Sequence, residues 1–168
     1  GNPMVRYTRD HWAMETASPS LTDVLGRAGY VRIYLGKWHT GRRHPESDRG
    51  FDIWISKNDA RARHPDLPED THAVAALTAE TMDQIDAQLD SGQRFFVHLS
   101  HTTPHGPFES PPGTTPFDDY YDEVFGPDDS HEKRYAKMVS HLDEQIGLIF
   151  DFLDQRGISN NTLLLFAS

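Results

Sequence analysis

The chain contains no cysteine. Its absence excludes disulfide bonds and thiolate metal sites, and it leaves the redox compartment open. No apolar run approaches the roughly 18 residues of a membrane-spanning helix, and residues 1–6 lack the apolar core of a signal peptide. The chain begins with Gly1 rather than an initiator Met, so we expect a processed protein or a piece of a longer one. The sequence does not indicate a localisation.

Basic residues are also scarce. The chain has 16 Lys and Arg against 26 Asp and Glu, a net charge of -10, which argues against a general nucleic-acid or anionic-membrane surface. An anion bound by this chain therefore needs a local positive pocket.

A length of 168 residues is sufficient for one domain with a sizeable core, and we expect a single domain over residues 1–168.

Helical and strand patterns alternate along the chain. Ser20 is a plausible N-cap, with Asp23 in the capping-box position. The pattern predicts helices over Ser20–Ala28, from Thr71 to about Leu89 and over His131–Gln155, and strands over Val31–Leu35, Arg94–Ser100 and Thr162–Phe166. This alternation predicts an α/β fold with a mostly parallel sheet and flanking helices.

Two long segments lack a regular pattern and are predicted to be irregular. They cover residues 41–70 and 102–130, and both follow predicted strands. Structureless loops longer than about 12–15 residues in a compact domain are usually functional or disordered. We therefore look for functional residues where these segments begin.

The first candidate site follows the strand Val31–Leu35. Gly36 ends that strand, and Lys37 and His39 come directly after it. Ligands of open α/β sheets bind at the carboxyl ends of strands, so a fixed cation and a titratable imidazole here indicate an anion site. A surface loop with two incidental polar residues fits the spacing equally well.

The second candidate site follows the strand Arg94–Ser100. His105 lies between Pro104 and the pair Gly106-Pro107, which suits a side chain held still at a pocket mouth. A zinc site pairing His101 with His105 is disfavoured, because Pro104 opposes the helix that this spacing requires. A surface-turn histidine is the simpler alternative.

Several ordered motifs together resemble the sulfatases of the alkaline-phosphatase superfamily. The resemblance covers nearly all of the chain from Ser20 onward. Its motifs are Leu21–Tyr30 (LTDVLGRAGY), Leu35–His39 (LGKWH), Gly50–Asp52 (GFD), Phe95–Ser100 (FFVHLS), Pro104–Pro107 (PHGP), Tyr135–Asp143 (YAKMVSHLD) and Gly157–Ser168 (GISNNTLLLFAS).

The resemblance implies an alkaline-phosphatase-like fold and hydrolysis of a sulfate ester or sulfamate, with a formylglycine nucleophile and a divalent cation, usually Ca²⁺. Lys37 matches the lysine that touches both the sulfate and the nucleophile. His39 matches the histidine that bonds the formylglycine hydroxyl and helps expel sulfate. His105 matches the histidine that binds sulfate and protonates the leaving oxygen. The implied partner is a sulfated small molecule or a sulfated sugar.

Other family features have no match in the chain. The nucleophile segment has the form Cys/Ser-x-Pro-x-Arg, but Ala17 stands at the nucleophile position of the nearest stretch and Leu21 at the arginine position. The family's aspartate and asparagine metal ligands are also unmatched, so no metal ligand is assigned. We therefore expect the central part of a sulfatase catalytic domain. This chain alone is expected to be inactive and to self-associate through an exposed sheet edge.

Four alternatives stay open. Phosphodiesterases and phosphonate monoester hydrolases share the superfamily architecture, and the chain could instead be a non-catalytic binder of sulfated ligands or a structural module.

The acidic residues between Asp118 and Asp129 fit a solvated face better than a cation-binding loop. Arg42, Arg43 and His44 could extend a positive rim around a multiply sulfated substrate.

Overall fold

Helices and strands alternate along most of the chain. The computed structural model describes residues 5–8, 11–14, 19–39, 44–113 and 116–167, with the backbone alone at 5–8, 11–14 and 48. The strands are β1 (Val5–Thr8), β2 (His11–Met14), β3 (Tyr30–Gly36), β4 (Ile53–Ile55) and β5 (Arg94–Ser100). The helices are α1 (Leu21–Arg27), α2 (Pro45–Arg49), α3 (Lys57–Arg63), α4 (Val74–Asp90), α5 (Asp118–Phe125) and α6 (His131–Gln155), followed by a 3-10 turn at Ser159–Asn161.

A parallel three-stranded sheet forms the centre of the fold. Its order is β4-β3-β5, with Ile33 opposite Ile53 and Gly36 opposite Ser100. The pair β1–β2 forms a separate antiparallel hairpin. The predicted α/β class with a parallel sheet and flanking helices is therefore confirmed. The register also aligns the carboxyl ends of β3 and β5, from which both candidate loops leave.

The main core lies between the sheet and the helices α3 and α4. Ile33 and Leu35 lie on one face of β3 and are fully buried. Tyr34 between them is buried too, so this central strand is covered on both faces, as is usual in a parallel sheet. Ile33 and Leu35 form one cluster with Ile55 of β4, Ala60 of α3 and Leu77 of α4.

A second apolar cluster connects α4 with α6. It contains Ile85 of α4 and Ile149 and Leu153 of α6, with Phe95 of β5 packed against it. The long helix α6 is thereby held beside the sheet. None of the described helices is long and apolar enough to cross a membrane.

Side-chain caps determine where several helices begin. Ser20 and Asp23 form the predicted capping box of α1, and Ser56 and Asp59 form the same motif at α3. The helix predicted from Thr71 begins instead at Val74, since the Asp70 carboxylate accepts hydrogen bonds from the backbone N–H groups of His72 and Val74 at 2.7 and 3.1 Å. Those bonds hold the preceding residues in a turn.

The two segments predicted to be irregular contain short regular elements, which corrects that expectation. Residues 44–70 include α2, β4 and α3, and the described part of 102–130 includes α5. Elements of three to eight residues are too short to show a helical period. The Ser56 and Asp59 capping box was nevertheless a readable start signal.

The strand predicted over Thr162–Phe166 is wrong. The 3-10 turn at Ser159–Asn161 precedes it, and residues 162–167 have no regular secondary structure. Leu163, Leu165 and Phe166 are 84%, 80% and 70% exposed. A β-strand needs a neighbour for its backbone hydrogen bonds, and an apolar sequence alone does not supply one.

Candidate active site

The loop after β3 begins with a close approach to β5. Gly36 has a φ of 94°, and a Cβ atom there would lie 2.1 Å from the Ser100 carbonyl oxygen. Only glycine fits both the backbone angle and the space. The next residue, Lys37, donates its backbone N–H to the same Ser100 oxygen at 3.0 Å. The start of the loop is therefore fixed to the end of β5.

Tyr34 holds the same loop from the opposite side of the Lys37 peptide. Its hydroxyl donates to the Lys37 carbonyl oxygen at 2.7 Å, and its ring packs edge-on against Trp38 at 5.0 Å and stacks on His98 at 4.7 Å. Burial raises the pKa of Tyr34, with an opposing hydrogen bond from Ser100, so the hydroxyl stays a donor at neutral pH. Tyr34 was not singled out from the sequence, because an apolar strand does not reveal which aromatic hydroxyl faces the loop.

Lys37 and His39 both follow the carboxyl end of β3, as predicted, and both are exposed. The Lys37 backbone is fixed while its ammonium group is accessible to solvent. Trp38 between them is half-buried and packs edge-on against Phe51 at 6.3 Å. The loop therefore presents two polar side chains from an aromatic base.

His105 lies on the loop after β5 and is also exposed. Its backbone N–H donates to the Thr102 carbonyl oxygen at 2.9 Å. Its Nδ1 lies 2.7 Å from the Gly106 carbonyl oxygen, which can only accept, so Nδ1 is the donor. The peptide bonds before Pro104 and Pro107 are cis. The bond to the Gly106 oxygen orients the ring and leaves Nε2 for an external partner.

His101, at the base of this loop, has a different environment. Neither of its ring nitrogens has a hydrogen-bond partner among the described residues. Burial, together with the nearby His141, lowers the pKa of His101 to about 4. His101 is consequently neutral near pH 7 and unsuited to donate a proton there.

Three other side chains form the one group in the described residues that could hold a cation. His64 Nε2 lies 3.1 Å from Glu80 and 3.6 Å from Asp83, but Arg63 already occupies the other Glu80 oxygen at 2.5 Å. Calcium takes six to eight oxygen ligands, and this group offers two carboxylates and a nitrogen. The arrangement does not fit calcium and instead neutralises a buried glutamate.

An open aromatic groove adjoins the His105 loop. It has a volume of about 670 Å³ and is lined by Phe108, Tyr121, Phe125 and Tyr135, with His131, Glu132 and Ser140 among its polar groups. Phe108 packs edge-on against Tyr135 at 5.6 Å. The Phe108 ring also lies 4.0 Å from where a Gly106 side chain would begin. The groove is therefore continuous with the turn that carries His105.

The acidic segment between Asp118 and Asp129 is paired with cations of α6. Lys137 bonds Asp118 at 3.0 Å, Arg134 bonds Asp129 at 2.9 Å, and Lys133 pairs with Asp122. These pairs use three of the carboxylates that a cation-binding loop would need.

The predicted positive rim is described only at His44. His44 is exposed and packs edge-on against Trp54 at 4.5 Å. Arg42 and Arg43 lie outside the described residues.

Comparison with known proteins identifies the family of the chain. Residues 3–168 match the model of the Sulfatase family. The chain belongs to the sulfatase family. Sulfatases are hydrolases and generally use a divalent cation. The motifs Leu35–His39 and Pro104–Pro107 thus lie, within a sulfatase chain, at the aligned ends of β3 and β5.

Individual sulfatases and superfamily structures resemble the chain over most of its length. N-acetylgalactosamine-6-sulfatase from Mus musculus is 27% identical over 179 residues, covering 88% of this chain and 32% of the relative. The chain spans about a third of the relatives it matches. The crystal structure of Ps i-CgsB in complex with k-i-k-neocarrahexaose has a TM-score of 0.61 at 19% identity and covers 86% of this chain and 38% of that one.

A lipoteichoic acid synthase has the same fold. The structure of LtaP from Listeria monocytogenes has a TM-score of 0.58 at 20% identity, covering 83% of this chain and 34% of that chain. At such identity the likeness extends to the fold alone. A protein of the alkaline-phosphatase superfamily from Vibrio parahaemolyticus is similar in fold as well, with a TM-score of 0.54 at 18% identity, covering 80% of this chain and 31% of that chain.

Proposed function

We propose that this chain supplies the sulfate-binding half of a sulfatase active site, which hydrolyses sulfate esters of sugars with a formylglycine nucleophile. The observation that carries the proposal is the parallel pairing of β3 with β5. Because the carboxyl ends of the two strands lie side by side, the Lys37 loop and the His105 loop leave the sheet on the same side. Family membership supports the sulfate ester as substrate class.

The three polar side chains have separate roles in this proposal. Lys37 neutralises charge on the non-bridging sulfate oxygens, because sulfuryl transfer leaves negative charge there. His105 acts with a proton on both ring nitrogens: Nδ1 donates to the Gly106 oxygen, and Nε2 donates to the sulfate and then gives its proton to the leaving oxygen. His39 bonds the hydroxyl of the formylglycine hydrate and helps release sulfate from the covalent intermediate.

A divalent cation, which we propose is Ca²⁺, adds further positive charge beside the sulfate when it is bound. The group formed by His64, Glu80 and Asp83 is not its site, because Arg63 and His64 already take the Glu80 carboxylate. None of the steps assigned above to Lys37, His39 or His105 requires that group.

The aromatic groove favours a sugar as the part of the substrate that carries the sulfate. Aromatic faces pack against the apolar faces of sugar rings, and flanking polar groups bond hydroxyls. Phe108 lies beside the His105 turn and packs against Tyr135. The names of two similar proteins, an N-acetylgalactosamine-6-sulfatase and an ulvan-active sulfatase, agree with a sulfated-sugar substrate.

Isothermal titration calorimetry tests the proposal. The protein is titrated with a sulfated disaccharide, its unsulfated counterpart, its phosphorylated counterpart and inorganic sulfate. We expect the sulfated disaccharide to bind most tightly, and Lys37→Ala and His105→Ala each to weaken its binding about tenfold, as for loss of a hydrogen bond to a charged group. Tyr135→Ala should weaken binding of the disaccharide and leave that of inorganic sulfate unchanged.

Arg27→Ala, at the exposed last turn of α1, is the control for loss of a positive charge and should leave binding within about twofold. Equal affinity for the sulfated and unsulfated sugars would contradict the proposal. Tighter binding of the phosphorylated sugar would favour the phosphodiesterase or phosphonate hydrolase alternative.

A further inference from the structure

The loop that carries His105 is tied to the start of α4 by one carboxylate. Glu109 accepts hydrogen bonds from Thr71 through both of its oxygens, from the backbone N–H at 2.6 Å and from the hydroxyl at 2.6 Å. The two residues are 38 positions apart in the chain. A carboxylate that accepts two hydrogen bonds from one residue is fixed in its orientation toward that residue as well as in its distance from it.

A second bond joins the same two segments. His72 Nε2 lies 3.2 Å from the Pro107 carbonyl oxygen, which can only accept, so the imidazole donates. His72 is 3% exposed. Pro107 and Glu109 follow His105 by two and four residues, so both anchors act on the turn that carries the imidazole. We call these contacts the latch.

The side of the latch formed by Thr71 and His72 is itself firmly held. The buried Asp70 carboxylate accepts from the His72 backbone N–H at 2.7 Å. Lys57 Nζ donates to the Thr71 carbonyl oxygen at 2.8 Å. Ala73 takes a left-handed φ of 55° before α4 begins, a conformation that a non-glycine residue keeps only where its surroundings fix it. The latch therefore connects the His105 turn to a firmly held turn directly before α4, the helix that packs against the sheet.

We propose that Glu109 is a positioning residue for His105, with Thr71 and His72 as its partners. Glu109 acts through the turn, in which the Nδ1 of His105 donates to the Gly106 oxygen and leaves Nε2 for the substrate. The assignment of a sulfate to that Nε2 rests on the proposed function. The orientation of the ring by the latch does not.

Two sets of variants test the latch. Glu109→Ala removes both bonds to Thr71. Thr71→Val removes only the hydroxyl bond at nearly constant shape, and Thr71→Ser restores it. Glu123→Gln, on the exposed side of α5, is the control for loss of an acidic charge. Each protein is first compared with the wild type by its thermal midpoint, so that an unfolded variant is recognised.

Three readouts are then taken. Nitrogen-15 NMR of His105 gives the share of the ring that carries its proton on Nδ1, hydrogen exchange gives the opening of residues 104–109, and calorimetry gives the affinity for the sulfated disaccharide. We expect Glu109→Ala to raise exchange in this turn about tenfold and to lower the share of the proton on Nδ1, because the bond to the Gly106 oxygen loosens. Binding should weaken about tenfold, because Nε2 is no longer held toward the sulfate. Thr71→Val should give smaller changes in the same direction, and Thr71→Ser and Glu123→Gln should match the wild type.

The latch and the proposed function fail in different ways. Unchanged exchange and an unchanged proton position in Glu109→Ala and Thr71→Val would overturn the latch, even if the wild-type protein binds the sulfated sugar. A wild-type protein that binds no sulfated ligand would overturn the proposed function, and the NMR and exchange results would still decide the latch.

Discussion

At the scale of single residues, the candidate site depends on backbone fixation more than on the functional side chains themselves. The sequence singled out Lys37, His39 and His105 because a cation or an imidazole that follows an apolar strand can be recognised from the sequence alone. It could not single out Tyr34, whose hydroxyl holds the Lys37 carbonyl, or Glu109, whose partner Thr71 is 38 residues away. Contacts of that kind exist only once the sheet has formed.

Gly36 is the residue whose replacement should disturb the Lys37 loop most directly. In Gly36→Ala the new methyl group would meet the Ser100 carbonyl oxygen, at 2.1 Å in the present backbone, and the φ of 94° is strained for alanine. We expect a loss of at least about 2 kcal/mol in the free energy of unfolding, measured by urea denaturation.

The matched control for that change is Gly147→Ala in α6, where nothing lies within 4 Å of the added Cβ. It should leave stability unchanged or raise it by about 0.5–1 kcal/mol, because alanine is the better helix former. Equal effects of the two substitutions would contradict the close approach at Gly36.

Asp52 should contribute to the acid sensitivity of the fold. Hydrogen bonds from the Arg32 side chain, foremost, lower the pKa of Asp52 from its usual value of 3.8. A lowered folded-state pKa gives stability that is present above about pH 4 and is lost as the pH falls through the folded value. Asp52→Asn should therefore be less stable at pH 7, by no more than about 1 kcal/mol since the pair is partly exposed.

Denaturation midpoints measured from pH 7 down to pH 2.5 check this expectation. The difference between wild type and Asp52→Asn should shrink as the pH falls below about 4. A difference that stays constant over the whole range would contradict the linkage between Asp52 ionisation and folding.

At the scale of elements, the sequence predicted the long helices and strands more accurately than the short ones. The helix His131–Gln155 and the strand Arg94–Ser100 have the predicted bounds, because 25 residues of helical period or a full apolar strand leave little ambiguity. Short elements such as α2 and β4 were missed, and the predicted strand Thr162–Phe166 was wrong. In both cases neighbours in space decide the outcome, and a single sequence does not contain that information.

The packing of α3 on α4 depends on the buried carboxylate of Glu80. Arg63, His64 and Gln84 all lie within hydrogen-bond distance of it, at 2.5, 3.1 and 2.8 Å. Glu80→Ala removes the shared acceptor and should lower the free energy of unfolding by about 1–3 kcal/mol, as measured by chemical denaturation.

Asp83→Ala is the control for that variant, because the Asp83 side chain is 67% exposed. It should change stability by less than about 0.5 kcal/mol. If the two alanine variants were equally stable, Glu80 would not be the centre of the α3–α4 contact.

At the scale of the whole molecule, the order of the motifs carried the most information. No single motif identified the fold. The order of the motifs along the chain indicated the sulfatase family, and residues 3–168 match that family. The expectation of one domain stays a prediction, as do the roles of Lys37, His39 and His105.

Self-association is the prediction that belongs to this scale. Within the described sheet, β4 and β5 each have a strand partner on one side only, and open edges pair readily with other chains. Light scattering should show an average mass that rises with protein concentration. His98→Lys, which adds a charge on the open strand β5, should reduce this rise, whereas Asp151→Lys on the exposed side of α6 should not. A strictly monomeric mass at high concentration would contradict the prediction.

The central claim is that the Lys37 and His105 loops form one sulfate site at the aligned carboxyl ends of β3 and β5. The most direct test is a titration with a sulfated disaccharide followed by NMR at the backbone amides and the His105 ring. We predict that shift changes concentrate at residues 36–39 and 104–108 and disappear in both Lys37→Ala and His105→Ala. Shift changes confined to the cations of α6, or unchanged in those two variants, would contradict the claim.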